Sequence, residues 1–154
     1  MLKRAVLLHN IRSAHNVGSI FRTADAAGVS KVYLSGYTPL PVDRFGREQK
    51  DIAKTALGAH TYIPWEHVKN LAKFLSEQQK GGWHIAAVEQ SRNSINYRMF
   101  KSRKPILYIF GNEVRGISRQ LLEKSDIVLE IPMHGKKESL NVSVAAGVVL
   151  FGTL

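Results

Sequence analysis

At 154 residues with no cysteine, the chain has the length of one domain, and disulfides, thiolate metal sites and cysteine redox chemistry are excluded. Its 44% hydrophobic and 22% charged residues describe a folded globular protein rather than a disordered tail. Set against 12 Asp and Glu, 22 Lys and Arg give a net charge of +10 and a pI near 10.0, which favours polyanionic partners, nucleic acid above all.

Lys3 to His9 reads as a first strand; its apolar run is ended too soon by His9, Asn10 and Arg12 for a signal peptide. Val17 to Ala27 predicts a helix closed by Gly28, with Asn16 as its N-cap, and Lys31 to Ser35 a second strand. A Gly/Pro-punctuated loop from Gly36 to Gly46 and a basic segment from Arg44 to Lys54 lead through Ala56-Leu57-Gly58 into a short strand, His60 to Ile63, broken by Pro64. Glu66 to Gln79 has Val68, Leu71, Ala72 and Leu75 at helical spacing and ends at Gly81-Gly82. Trp83 to Val88 and Ile106 to Phe110 are short apolar strands, separated by a polar loop that carries Arg92, Arg98, Lys101, Arg103 and Lys104. A short helix, Ile117 to Lys124, precedes a last strand, Ile127 to Ile131, and an apolar helix from Val142. The alternation of strands and helices predicts one α/β domain over residues 1 to 154, a mostly parallel sheet covered by helices on both faces. No run reaches membrane-spanning length, and no separate RNA-binding domain is seen, so a cytoplasmic address is the default expectation.

Ligands of such sheets gather outside the carboxyl ends of the strands, which selects the loops after His9, Val88, Phe110 and Ile131. In the first, Arg22 falls one turn beyond Gly18, so it leans over a position without a side chain near the helix start, an arrangement suited to phosphate. A surface pair with Asp25 explains the same residue equally well. In the third, Gly111-Asn112-Glu113-Val114-Arg115-Gly116 brackets a carboxylate between two glycines; its spacing is neither a P-loop nor the dinucleotide fingerprint, and a bare turn is the simpler account. In the fourth, Ser139, Asn141 and Ser143 stand at the entrance to the apolar last helix, as caps or as ligand groups. The six histidines show no metal-ligand spacing, so no metal is expected.

Asn16-x-Gly18-x-x-x-Arg22, Gly111-Asn112-Glu113-x-x-Gly116 and Ile131-Pro132-Met133 through Ser139-Leu140-Asn141-Val142-Ser143 together resemble the three ordered motifs of the SpoU family, RNA ribose 2′-O-methyltransferases of the SPOUT or α/β-knot superfamily. The resemblance runs from the first strand to the last helix. It implies a C-terminal trefoil knot, S-adenosyl-L-methionine as cofactor, RNA as substrate, and a homodimer with the site near the subunit interface; the small size of the domain, with little surface for a large folded target, favours tRNA over rRNA. One departure is Ala14-His15, where family members often carry Pro followed by an acidic residue.

Carried over by position, the resemblance makes Arg22 the catalytic arginine, Asn16 its orienting partner, and Glu113 and Asn141 the other polar side chains of the site. Cofactor contacts fall to Val88, Gly111, Asn112, Ile131, Met133, Ser139 and Leu140. Arg12, Arg44, Arg47, Lys50, Lys54 and Arg115, with the Arg92 to Lys104 cluster, are candidates for RNA phosphates; a solvated basic face is the competing account. Two functional alternatives stand beside ribose methylation: a basic RNA-binding module that transfers nothing, and an RNA base methyltransferase on the same architecture.

Overall fold

A computed structural model describes residues 1–154. Its strands are β1 (Arg4–His9), β2 (Lys31–Ser35), β3 (Trp65–Val68), β4 (His84–Val88), β5 (Ile95–Asn96), β6 (Ile106–Phe110) and β7 (Ile127–Glu130). Its helices are α1 (Ala14–Ala26), α2 (Lys50–Ala56), α3 (Ala59–Tyr62), α4 (Leu71–Lys80), α5 (Arg119–Glu123) and α6 (Val142–Gly152). The seven strands form one sheet in the order β3-β2-β1-β6-β4-β7-β5, and every pairing is parallel. Register sets Leu8 beside Phe110, Ile109 beside Ala87, and Val88 beside Leu129, so the loops leaving β1, β6, β4 and β7 emerge along one edge.

The strands read as continuous apolar runs because both faces are covered. Val6, Leu8, Tyr108 and Phe110 face a core of 25 buried residues shared with α1, α2 and α6, while Ala5, Leu7, Leu107 and Ile109 face one of 12 shared with α4 and α5. The larger core therefore seats the helix that carries Asn16 and the helix that begins after Asn141. Buried Arg4 joins their far ends: its guanidinium donates to the Leu150 carbonyl at 2.7 Å and to that of Ala27, supplying positive charge at two helix C-termini.

The segment from Arg44 to Gln79 departs from expectation. Its basic stretch contains α2, a helix with only Ile52 and Ala56 buried, too narrow an apolar stripe to stand out among charges. His60 to Ile63 is not a strand; Ala59–Tyr62 forms one helical turn between left-handed Gly58 and extended Ile63. The strand lies instead at Trp65–Val68, on the sheet edge, and the following helix starts only at Leu71, where the Asn70 side chain caps the Lys73 N–H at 3.0 Å. Ile95–Asn96 adds a short outer strand within what reads as a polar loop.

Candidate active site

Glu113 is the hub of the polar network at the carboxyl edge of the sheet. Its Oε1 accepts from the Arg12 backbone N–H at 2.8 Å, and its Oε2 from the Ser13 N–H at 2.9 Å and from Asn16 Nδ2 at 3.1 Å. Partial burial raises the pKa of this carboxyl, but the backbone donors, with help from Asn16, outweigh it and the net shift is downward. The opposite end of the Asn16 amide continues the chain: its Oδ1 accepts from Asn141 Nδ2 at 3.3 Å, and Asn141 Oδ1 accepts from the Ser143 N–H at 2.9 Å and its hydroxyl at 2.6 Å. Asn16 thus joins two segments that lie 97 and 125 residues away from it in sequence, through Glu113 and Asn141.

Asn16 can do this because it is not the N-cap. Ser13 caps α1, accepting from the Asn16 N–H at 3.2 Å, so the helix starts at Ala14 and the Asn16 side chain is left for Glu113 and Asn141. Asn141 has both roles, capping α6 through its Oδ1 while its Nδ2 reaches Asn16.

The turn after β6 is drawn tight by its asparagine and two glycines. Asn112 Oδ1 accepts from the Val114 and Arg115 N–H groups at 2.9 and 2.8 Å, while its Nδ2 donates to the Asn10 carbonyl at 3.0 Å and to the Tyr37 hydroxyl at 2.9 Å. The side chain of Asn112 is therefore committed to the protein, and its backbone N–H and C=O pair with Gly116 at 3.2 and 2.9 Å, so Asn112 shapes the cavity wall without a free donor. A Cβ on Gly111 would press on Ile117 and the Gly116 backbone, and one on Gly116, itself at φ 65, would strike the Glu89 carboxylate. Glu89 was not singled out in the sequence. Its Oε2 accepts from the Ile117 N–H at 2.9 Å and its Oε1 from the Gln90 N–H at 2.8 Å, tying the end of β4 to this turn. Its place at the carboxyl end of a buried strand was the available signal.

Between these loops lies a cavity of about 440 Å³. Val88, Gly111, Asn112, Ile131, Met133, Ser139 and Leu140, the seven positions expected to hold a cofactor, all line it, as do Glu113, Arg115 and Glu89. Its volume falls in the range of roughly 300–1,000 Å³ typical of small-molecule sites. The wall from Ile131 to Leu140 has a distinctive property: none of its N–H or C=O groups bonds to another backbone group, and its one side-chain contact is Gln90 Nε2 on the Glu138 carbonyl at 2.6 Å. Half-buried Ile131 and Met133 thus expose unpaired backbone groups beside apolar side chains, a surface suited to a ligand with a heteroaromatic edge.

Arg22 is exposed on α1, makes neither an ion pair nor a hydrogen bond, and does not line the cavity. The pairing with Asp25 is not formed; that carboxylate accepts from the Tyr62 hydroxyl at 3.1 Å. Nor is Gly18 an open notch beneath Arg22, because a Cβ there would collide with Thr55 Oγ1 and the Ile52 carbonyl of α2. Gly18 is the crossing point that lets α1 and α2 approach closely.

The basic candidates divide by position. Arg12 and Arg115 have exposed, unpaired side chains beside the network, whereas Arg44 and Arg47 lie 4.7 and 4.9 Å from the exposed ring of Phe45, with Arg47 also on Asp43 at 2.9 Å. Lys50 and Lys54 are exposed on α2. In the remaining cluster Arg98 packs on Tyr97. His15, at the departure from the family pattern, is exposed and lies 3.4 Å from Asp51. No group of three or more His, Cys, Asp or Glu converges, and no helix is long and apolar enough to cross a membrane.

This parallel sheet with its loop-built cleft is the fold of known SpoU-type methyltransferase structures. An AdoMet-bound rRNA methyltransferase from Sinorhizobium meliloti superposes with a TM-score of 0.86 at 31% identity, over 97% of this chain and 55% of that one. The TrmH/SpoU tRNA modifying enzyme of A. aeolicus superposes at 0.84 with 32% identity, over 99% and 74%. The description SpoU rRNA Methylase family matches residues 3–151, and the chain belongs to that family. Among curated relatives, a TrmH family tRNA/rRNA methyltransferase from Staphylococcus haemolyticus is 36% identical over 97% of this chain, and the tRNA (guanosine(18)-2′-O)-methyltransferase of Aquifex aeolicus is 36% identical over 95%. The chain spans 57% and 66% of those two proteins.

Proposed function

We propose that the protein transfers a methyl group from S-adenosyl-L-methionine to a ribose 2′-hydroxyl of RNA, with tRNA as the substrate class. The observation that carries the reading is the Glu113–Asn16–Asn141 network, which ties the first motif to the edge of a cavity lined by residues of the second and third. The Aquifex relative, a tRNA ribose methyltransferase by name, supports both the reaction and the substrate class.

S-adenosyl-L-methionine supplies an electrophilic methyl group on a sulfonium. The chain must hold it, bring the ribose oxygen into line and stabilise that oxygen as its proton leaves. The backbone of Ile131, Met133 and Leu140 with that of Gly111 would hold the cofactor, and Val88 would wall its apolar side. Glu113 is a poor candidate for the base, since three donors already occupy its oxygens and hold its pKa down. It instead fixes the Asn16 amide, which orients Asn141 and the entry to α6. A guanidinium has no free lone pair with which to take a proton, so Arg22 acts as a fixed cation that clamps an RNA phosphate and stabilises the developing alkoxide. The proton passes to a phosphate oxygen or to water.

Because Arg22 does not line the cavity of its own protomer, we propose a homodimer in which α1 of a second copy completes the site. The exposed Val144 and Phe151 of α6 suit such burial. A knotted C-terminus, with α6 threaded through the region of the turn after β6, belongs to the same proposal.

The test is incubation with unfractionated RNA and radiolabelled S-adenosyl-L-methionine beside Arg22→Ala, followed by digestion to nucleosides. A labelled 2′-O-methylnucleoside from the native protein, lost in the variant with an unchanged melting temperature, is expected. A labelled base would establish the base methyltransferase, and tight RNA binding without transfer the binding module.

A further inference from the structure

Tyr37 follows β2 and is held at both ends. Its backbone N–H donates to Asn10 Oδ1 at 3.2 Å, and its hydroxyl accepts from Asn112 Nδ2 at 2.9 Å. Asn10 is in the left-handed region at φ 55, and a Cβ on neighbouring Gly36 would collide with its side chain, so the turn has one way to close. Yet Tyr37 is 59% exposed. An aromatic ring on a mobile loop needs no explanation; one immobilised at both ends and still facing solvent has already lost the entropy that stacking would otherwise cost.

Its surroundings specify what would cover it. The asparagine that holds the hydroxyl also holds the Arg115 N–H, and the adjacent Glu113 holds the Arg12 N–H. Both arginine side chains are exposed and without an ion pair or hydrogen bond. The turn after β6 therefore ties together, from three loops, an exposed aromatic ring and two unpaired cations beside the candidate active site. A nucleotide offers the complement, a π face between two phosphates, and the net charge of +10 favours its approach.

We propose that Tyr37 is a stacking platform for an unpaired base of the RNA, with Arg12 and Arg115 on the flanking phosphates. The base must be unpaired because bases inside an A-form helix cannot offer their faces. The inference rests on RNA as the substrate.

The experiment uses the full chain with a single-stranded RNA oligonucleotide carrying 2-aminopurine, and follows fluorescence quenching and affinity for native protein, Tyr37→Ala and Tyr37→Phe. Loss of the ring should weaken RNA binding about tenfold and remove the quench, since stacking on an aromatic side chain typically contributes a factor of this order. Binding of S-adenosyl-L-methionine by calorimetry should be unchanged, and Tyr37→Phe, which keeps the ring and loses only the tie to Asn112, should keep the quench and bind RNA more tightly than Tyr37→Ala. If Tyr37→Phe is as weak as Tyr37→Ala, the hydroxyl tie is what matters and stacking is overturned. Native affinity and quench in Tyr37→Ala also overturn it. Independently of any variant, photo-crosslinking of native protein to 5-iodouridine RNA should label the peptide containing Tyr37, and labelling confined to other peptides overturns the proposal. A native protein that binds no RNA sinks the substrate reading itself, and this shows in the native arm before any variant is compared.

Discussion

The two walls of the cleft satisfy their polar groups in opposite ways. On the side of the turn after β6, the Arg12, Ser13, Val114, Arg115 and Ile117 N–H groups all bond to side chains of Glu113, Asn112 or Glu89. On the side after β7, the backbone from Ile131 to Leu140 bonds to no other backbone group. A wall with its donors spent is rigid before any ligand arrives and can set geometry; a wall with its donors free has bonding capacity to offer. On the proposed function, orientation would belong to the first wall and affinity to the second.

Removing the hub should break that division most severely. Glu113→Ala strands the Arg12 and Ser13 N–H groups and releases the Asn16 amide, so stability should fall by about 1–3 kcal/mol. Methyl transfer should fall about a hundredfold, the scale expected when reacting groups are displaced by an ångström. Urea titration and single-turnover labelling would measure the two, and cofactor affinity, set by the other wall, should change far less. Equal losses of affinity and transfer would erase the distinction.

Next in size is Gly18→Ala. The added methyl must separate α1 from α2, with an expected loss of about 1–3 kcal/mol for overpacking, read as a lower urea midpoint. Because α1 carries Asn16, transfer should decline with it, again with little effect on cofactor binding. A stability equal to native would mean that α2 yields freely and that α1 is not seated by it.

Hydrogen exchange sharpens the comparison without mutation. Amides of residues 131–140 should exchange rapidly in the free protein and slow on addition of S-adenosyl-L-methionine, while those of Arg12 and Ser13 are protected in both states. Uniform protection of both walls by the cofactor would refute the assignment of their roles.

The two walls also differ in how far the sequence disclosed them. β1, β4, β6 and β7 were legible as apolar runs, and the second and third motifs marked loops that line the cavity, while the first marked the helix start that Glu113 holds beside it. Ser13 and Asn16 are both good caps, and only the reach of Glu113 across 97 residues decides which of them is free to serve the site. The packing role of Gly18 depends on α2, a helix whose two buried residues leave almost no periodic trace. Tyr37 was silent for the same reason, and Glu89 was marked only by its place at the end of β4. Their roles come from long-range bonds to the turn after β6, and local patterning carries no record of such bonds. The unpaired backbone of 131–140 is likewise a property of what the rest of the fold fails to offer it.

The smallest effect expected is on pH dependence, and its sign follows from Glu113. Burial pushes its pKa up, the Arg12 and Ser13 N–H groups and the Asn16 amide push it down, and the net folded value is depressed. Between that value and the unfolded one, about 4.3 for glutamate, the unfolded chain binds more protons, so stability falls as pH falls. The contribution is fully present above the unfolded value and is lost as pH drops through the folded one. Glu113→Gln keeps an acceptor oxygen but cannot titrate, so the difference in urea midpoint between native protein and variant should be constant near neutrality and shrink below about pH 4.3. Arg22→Ala, which removes an exposed and unpaired cation, should show no such convergence. A midpoint difference that persists to the lowest pH would mean that the carboxylate charge adds nothing to the rigid wall, and that its hydrogen-bond geometry alone holds Arg12, Ser13 and Asn16 in place.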